Sequence, residues 1–152
     1  MRKRIDAPFA VFLAACFCYL LIIISYVIDS LAMNSFTQEI ITVIPYILLS
    51  VITGLLFILQ AKYHKPFFSG IAFVLSAIKL ILFFASFFIL DMQNLKAVSA
   101  RMAGTATSPA TAGDVVFFVC TIIMAVIVLA AAFLENIAFL MSRKKEFQIK
   151  KN

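Results

Sequence analysis

Two residues in this 152-residue chain are of a type, and in a place, where chemistry could happen. Lys79 stands inside "SAIKLIL", in the middle of the 24-residue run Phe67–Leu90, which holds no other charge. Glu135 stands inside "AAFLENIAFL", near the end of a second apolar run. An ammonium and a carboxylate set among leucines and phenylalanines can pair, can line a polar cavity for a solute or ion, or can relay a proton. Each role needs the two groups to face one another rather than lipid.

The helical repeat says whether they can. Counting inward from Phe67, Lys79 lies about 18 Å along its run, and Glu135 lies about 9 Å short of Met141, so their levels differ by roughly 9 Å if the two runs are antiparallel. Side chains lean toward the N-terminus of their own helix, which brings these two toward each other. Both also fall on stripes of small or weakly polar residues spaced three and four apart, the mark of packed faces between helices in lipid. The stripes are Ala7, Ala10, Ala14, Cys18, Leu21 and Ser25; Thr42, Tyr46, Ser50, Thr53, Phe57 and Gln60; Ser69, Ala72, Ser76, Lys79, Phe83 and Ser86; and Thr121, Met124, Val128, Ala131, Glu135, Ala138 and Ser142.

A buried lysine does not by itself demand a function. It costs about 3 kcal/mol at a helix centre, while each Leu, Ile, Phe or Val returns roughly 0.3–0.6 kcal/mol. The run Phe67–Leu90 holds sixteen of those residues, so the lysine does not prevent insertion. The Lys79/Glu135 pair is therefore read first as a lock on helix register or a subunit contact, and second as a solute or ion site.

Other chemistry is thin. His64, in "KYHKP", has lysines on both sides and no ligand or acid–base partner nearby in sequence. Cys16, Cys18 and Cys120 all lie inside apolar runs, with no CxxC spacing, and read as packing residues. No Gly-rich phosphate loop, HExxH or GxSxG motif occurs, so no catalytic residue, metal or cofactor is expected. Without tryptophan, interface anchoring is assigned to Tyr19, Tyr26, Tyr46 and Tyr63.

The elements that must position the pair follow from composition. The chain is 64% hydrophobic and 13% charged, against about half and a quarter in soluble domains. Apolar runs at 7–28, 40–59, 67–90 and 115–141 are long enough for helices to cross a hydrocarbon layer of about 30 Å. The apolar residues are continuous rather than alternating, which excludes barrel strands. At 22 residues the first run exceeds a signal-peptide core and reads as a retained helix. Pro45 lies one turn inside the second run and marks a bend or hinge. Ser35 and Gln38 resemble a capping box opening that helix, and Asp114 is placed to cap the fourth. Between the third and fourth helices, loop 91–114 carries Leu95, Val98 and Met102 at the spacing of a short amphipathic helix lying on the membrane surface.

The net charge of +6 is distributed by side. Arg2, Lys3, Arg4, Lys62, Lys65, Arg143, Lys144, Lys145, Lys150 and Lys151 fall on one side, and Lys96 and Arg101 on the other. The positive-inside rule puts both termini in the cytoplasm. The expected fold is thus an all-α, integral membrane, antiparallel four-helix bundle forming a single domain, with a basic tail over 142–152. Its expected setting is a bacterial cytoplasmic membrane, with anionic lipid at the basic face, a protein partner or further copies of itself, and no nucleic acid. The expected function is a non-enzymatic accessory, assembly or regulatory subunit of a membrane complex. The alternative is a small oligomeric transporter or channel using Lys79 and Glu135.

Overall fold

The computed structural model describes residues 6–33 and 36–149; side chains are described for these except at 29–30, 32–33, 36–42, 90–91 and 145–149. Arg2, Lys3, Arg4, Ser35, Lys150 and Lys151 lie outside the described residues, as do the side chains of Gln38, Thr42 and Lys145. The described chain is helical, with no strand: α1 (Ala7–Met33), α2 (Phe36–Tyr63), α3 (Phe67–Ser86), a π-helical turn (Phe87–Asp91), α4 (Met92–Met102) and α5 (Ala112–Ile149). Four helices are long and apolar enough to cross a membrane, over Ala7–Ile28, Val43–Tyr63, Phe67–Ile89 and Ala112–Lys144.

The helix ends follow local chemistry. Ala10 N–H donates to the Asp6 carbonyl, so Asp6 opens α1 and Pro8 sits in the first turn, where its missing N–H costs nothing. His64 ends α2 in a left-handed conformation (φ 53°), and Pro66 then starts α3. Gly104 (φ 70°) closes α4; Thr105 N–H reaches the Ala100 carbonyl and Gly104 N–H the Arg101 carbonyl, a Schellman cap that needs glycine at this position.

Three of the four long helices extend beyond the apolar runs that announced them, while α3 begins at Phe67 as expected and gives way to the π turn after Ser86. α1 continues to Met33, α2 spans 36–63, and α5 spans 112–149, so part of the basic tail is helical. The apolar run marks only the stretch matched to hydrocarbon, whereas the backbone hydrogen bonding continues past it into polar sequence.

Segment 91–114 differs more. α4 does not stand apart as a surface helix: the chain stays in helical conformation from α3 through the π turn into α4. A π turn adds one residue, which rotates everything downstream by about 100°. The buried face therefore moves from the 83/86 phase to Val98, which is fully buried, while Met102 is exposed; α4 packs against α5. Asp114 is not the residue that caps α5. Thr111 holds that place, its Oγ1 accepting from Asp114 N–H (3.3 Å) while Asp114 Oδ2 accepts from Thr111 N–H (2.8 Å). This is a reciprocal capping box. The same carboxylate pairs with Arg101 at the end of α4, and that hydrogen bond pushes the Arg101 pKa further up. One aspartate thus closes the α4–α5 connection from both sides. Asp114→Ala is expected to speed amide hydrogen exchange across 100–116 while leaving Lys79 and its surroundings protected; unchanged protection at Thr111 and Val115 would show that the carboxylate is dispensable there.

Packing places the long helices around Lys79. α1 lies chiefly along α5, α3 touches both α2 and α5, and the α1–α2 seam is looser. Phe12, early in α1, stacks on Phe57, late in α2, with ring centroids 4.2 Å apart, and meets Phe139, late in α5, edge-on. These rings join Leu56, Ala72 and Ala138 in one apolar cluster at the end of the molecule nearest the termini. A second cluster, on the α4 side of Lys79, contains Ile22, Tyr26, Phe83, Met124 and Val128.

Candidate functional site

Four helices deliver the polar centre. The stripes of α2, α3 and α5 face inward: Tyr46, Thr53, Phe57 and Gln60; Ala72, Ser76, Lys79 and Phe83; and Thr121, Met124, Val128, Ala131, Glu135 and Ala138 are all buried. Asp114 and Phe117 extend the α5 stripe at the same spacing. The α1 stripe does not hold. Ala7, Ala10 and Ala14 are exposed, and the buried face is Phe12, Ala15, Tyr19, Ile22 and Tyr26. The buried side of α1 is set by its aromatic residues, with Ala15 as the alanine among them. Tyr19, Tyr26 and Tyr46 are also corrected from interface anchors to core residues, and only Tyr63 of the four is exposed. The missed signal was the phenol, whose O–H needs a partner that lipid cannot supply.

Lys79 Nζ lies 2.5 Å from Glu135 Oε2 and donates to Tyr19 Oη at 3.1 Å. It is also 4.5 Å from the centroid of the Tyr19 ring and 5.9 Å from that of Tyr46. Lys79 is 3% exposed and Glu135 1%. The lysine therefore contacts α1, α2 and α5 from its place on α3. In so dry a setting a carboxylate and two aromatic rings replace the hydration the ammonium gives up.

The polar layer continues from the pair toward the termini. One position from Glu135, Asn136 Nδ2 donates to Ser76 Oγ (3.0 Å) and to the Ala132 carbonyl (2.8 Å). Further along, Gln60 Nε2 donates to the Phe139 carbonyl (3.3 Å). Sequence reading placed Gln60 and Ser76 on packed faces, but it singled out neither residue and did not mention Asn136.

Three further residues complete the account. Pro45 is half-buried inside α2, which remains helical on both sides of it. His64 is exposed at the α2–α3 turn. Cys16, Cys18 and Cys120 are half-buried. Among the described residues no group of three His, Cys, Asp or Glu side chains is placed to hold a metal ion.

Two surface grooves are apolar. One, of about 350 Å³, runs between α1 and α2 past Phe9, Leu13, Cys16, Gly54 and Ile58. The other, of about 330 Å³, lies on α3 at Phe67, Gly70, Ile71 and Val74. Neither is lined by Lys79 or Glu135.

Comparison with family models, with curated proteins and with solved structures finds no match to this chain. Fold and site therefore define a class: an all-helical protein with four helices suited to crossing a membrane and a buried lysine–glutamate pair between them.

Proposed function

We propose that this protein is a non-enzymatic accessory, assembly or regulatory subunit of a larger membrane complex. It would sit as an antiparallel four-helix bundle with both termini in the cytoplasm, in a bacterial cytoplasmic membrane. One observation carries the reading: the intramembrane charges are used up inside the chain. Lys79 has Glu135, Tyr19 and the Tyr46 ring around it, and the pair lines neither described groove. A charge held by three neighbouring helices fixes their register and leaves the lipid-facing and extramembrane surfaces for partners. The ten-to-two distribution of basic residues supports the orientation, and the basic face suits anionic lipid headgroups. Pro45 is proposed as a fixed bend in α2, with hinge motion as the alternative.

A second reading, a small oligomeric transporter or channel, draws on a different observation. Glu135 Oε1 and Gln60 Oε1 are buried without a hydrogen-bond partner among the described residues, as groups awaiting a ligand are. Purification of tagged protein in mild detergent at native expression separates the two readings. A stoichiometric membrane partner in the eluate is expected. A lone monomer or homo-oligomer, with flux in proteoliposomes that is lost in Lys79→Met, would overturn the subunit reading in favour of transport.

A further inference from the structure

The unmatched oxygens of Glu135 and Gln60 belong to one file of polar groups. Glu135 Oε2 is taken by Lys79, while Oε1 faces no donor among the described residues. Asn136, the next residue, is bonded across to Ser76, which stands three positions before Lys79 on α3. Gln60 is tied to the carbonyl of Phe139, four residues beyond Glu135, and its own Oε1 is again unmatched. The whole file thus spans about one turn of α5. A buried acceptor left without a donor is costly, so native cores rarely keep two so close together. What satisfies a pair of acceptors beside a hydroxyl, in a packed core, is a small molecule that donates twice. Water is that molecule, and it needs the two to four polar partners this file offers.

Access is lopsided. Gln60 is three residues from the end of α2 at Tyr63, about 5 Å of helix, with the Phe12, Phe57 and Phe139 rings as the apolar packing on that side. In the other direction the core is Ile22, Tyr26, Phe83, Met124 and Val128, followed by Phe117. From Glu135 to Phe117 along α5 is about 27 Å. The titratable groups around the carboxylate are Lys79 from α3 and, from α1, Tyr19, which bonds the same ammonium, and Cys16, close enough to both charges to feel them. Tyr46 from α2 faces Lys79, and α5 itself adds no further charge near the pair.

We propose that water occupies the space between Gln60, Ser76 and Glu135, entering from the face that carries the chain termini, and that Glu135 exchanges protons with that side alone. Under the orientation proposed above, that side is the cytoplasm. The role is independent of whether the protein is a subunit or a transporter, because it concerns proton access to one carboxyl and not flux.

Infrared spectroscopy of the full chain in lipid nanodiscs tests it. A carboxylic-acid band that appears on acidification and is missing in Glu135→Gln reports the protonated group, and its shift after transfer to D2O reports exchange. Gln60→Leu is expected to slow that exchange by about tenfold, the equivalent of one hydrogen bond of ordinary net strength. Ser76→Ala is expected to slow it in the same direction and serves if Gln60→Leu does not fold. Val128→Ser, on the far side of the pair, is expected to leave the rate unchanged. Exchange unaffected by both Gln60→Leu and Ser76→Ala, exchange hastened by Val128→Ser, or an acid band that never depends on Glu135 would each overturn the proposal.

Discussion

Lys79→Met and Glu135→Leu, each made alone, are expected to destabilise the folded protein by about 3–5 kcal/mol, and the two together to leave it close to wild type. Each single change strands the other charge in a core where both side chains are almost completely hidden from solvent. The double change removes both desolvation costs and fills the site with two side chains that lipid and core accept equally well. The sign of the coupling is therefore the informative quantity. Stability in mild detergent, followed by the detergent concentration needed to unfold each variant, gives the cycle. Tyr19→Phe belongs in the same series. It removes one hydroxyl that accepts from Lys79 at 3.1 Å and keeps the ring, so a loss of about 1 kcal/mol is expected. Additive single and double effects would mean that the two charges do not stabilise the fold through each other, and the register-lock account would have to be given up.

That the pair could be anticipated at all rests on periodicity. Lys79 and Glu135 stood on stripes spaced three and four apart, and two stripes that each carry one charge of opposite sign have an evident reason to meet. What periodicity could not supply was phase where side-chain size is uninformative. In α1 the alanines and Cys18 gather mostly on one side, yet Ala7, Ala10 and Ala14 there are exposed and the aromatic side is buried, so the small-residue rule chose the wrong side, and Tyr19, now in contact with Lys79, was assigned to the interface. The π turn at Phe87–Asp91 was invisible for a related reason. It leaves no compositional mark, yet it shifts the buried face by one residue, so that Val98 is buried and Arg101 pairs with Asp114 of α5. Asp114 could have been read better, because Thr111 three residues before it is the first half of a capping box; the flexible look of "GTATSPATAG" hid it. The hydrogen bonds of Asn136 and Gln60 depend on distances between helices that no single-chain pattern encodes.

Phe139→Ala is expected to cost about 2.4 kcal/mol, and Phe133→Ala close to nothing. The two residues are six apart on α5 and equally apolar, and they differ in what surrounds them. Phe139 is buried, edge-on to both Phe12 and Phe57, with its carbonyl holding Gln60; Phe133 is 66% exposed. In a water-soluble core, truncating a phenylalanine costs about 3–5 kcal/mol, part of it the loss of transfer from water. In a bilayer that part falls away, since lipid chains are as apolar as the core. The remainder is the cavity: about 100 Å³ of lost volume at about 24 cal/mol per Å³ gives the 2.4 kcal/mol expected for Phe139. At Phe133 lipid fills the space, and no cavity forms. Reconstituted protein unfolded under equilibrium conditions gives both values. A loss at Phe133 as large as at Phe139 would mean that position 133 is covered by protein in the membrane, and so would locate a partner contact on the outer face of α5. A loss at neither would mean that the Phe12–Phe57–Phe139 cluster closes up around the missing ring.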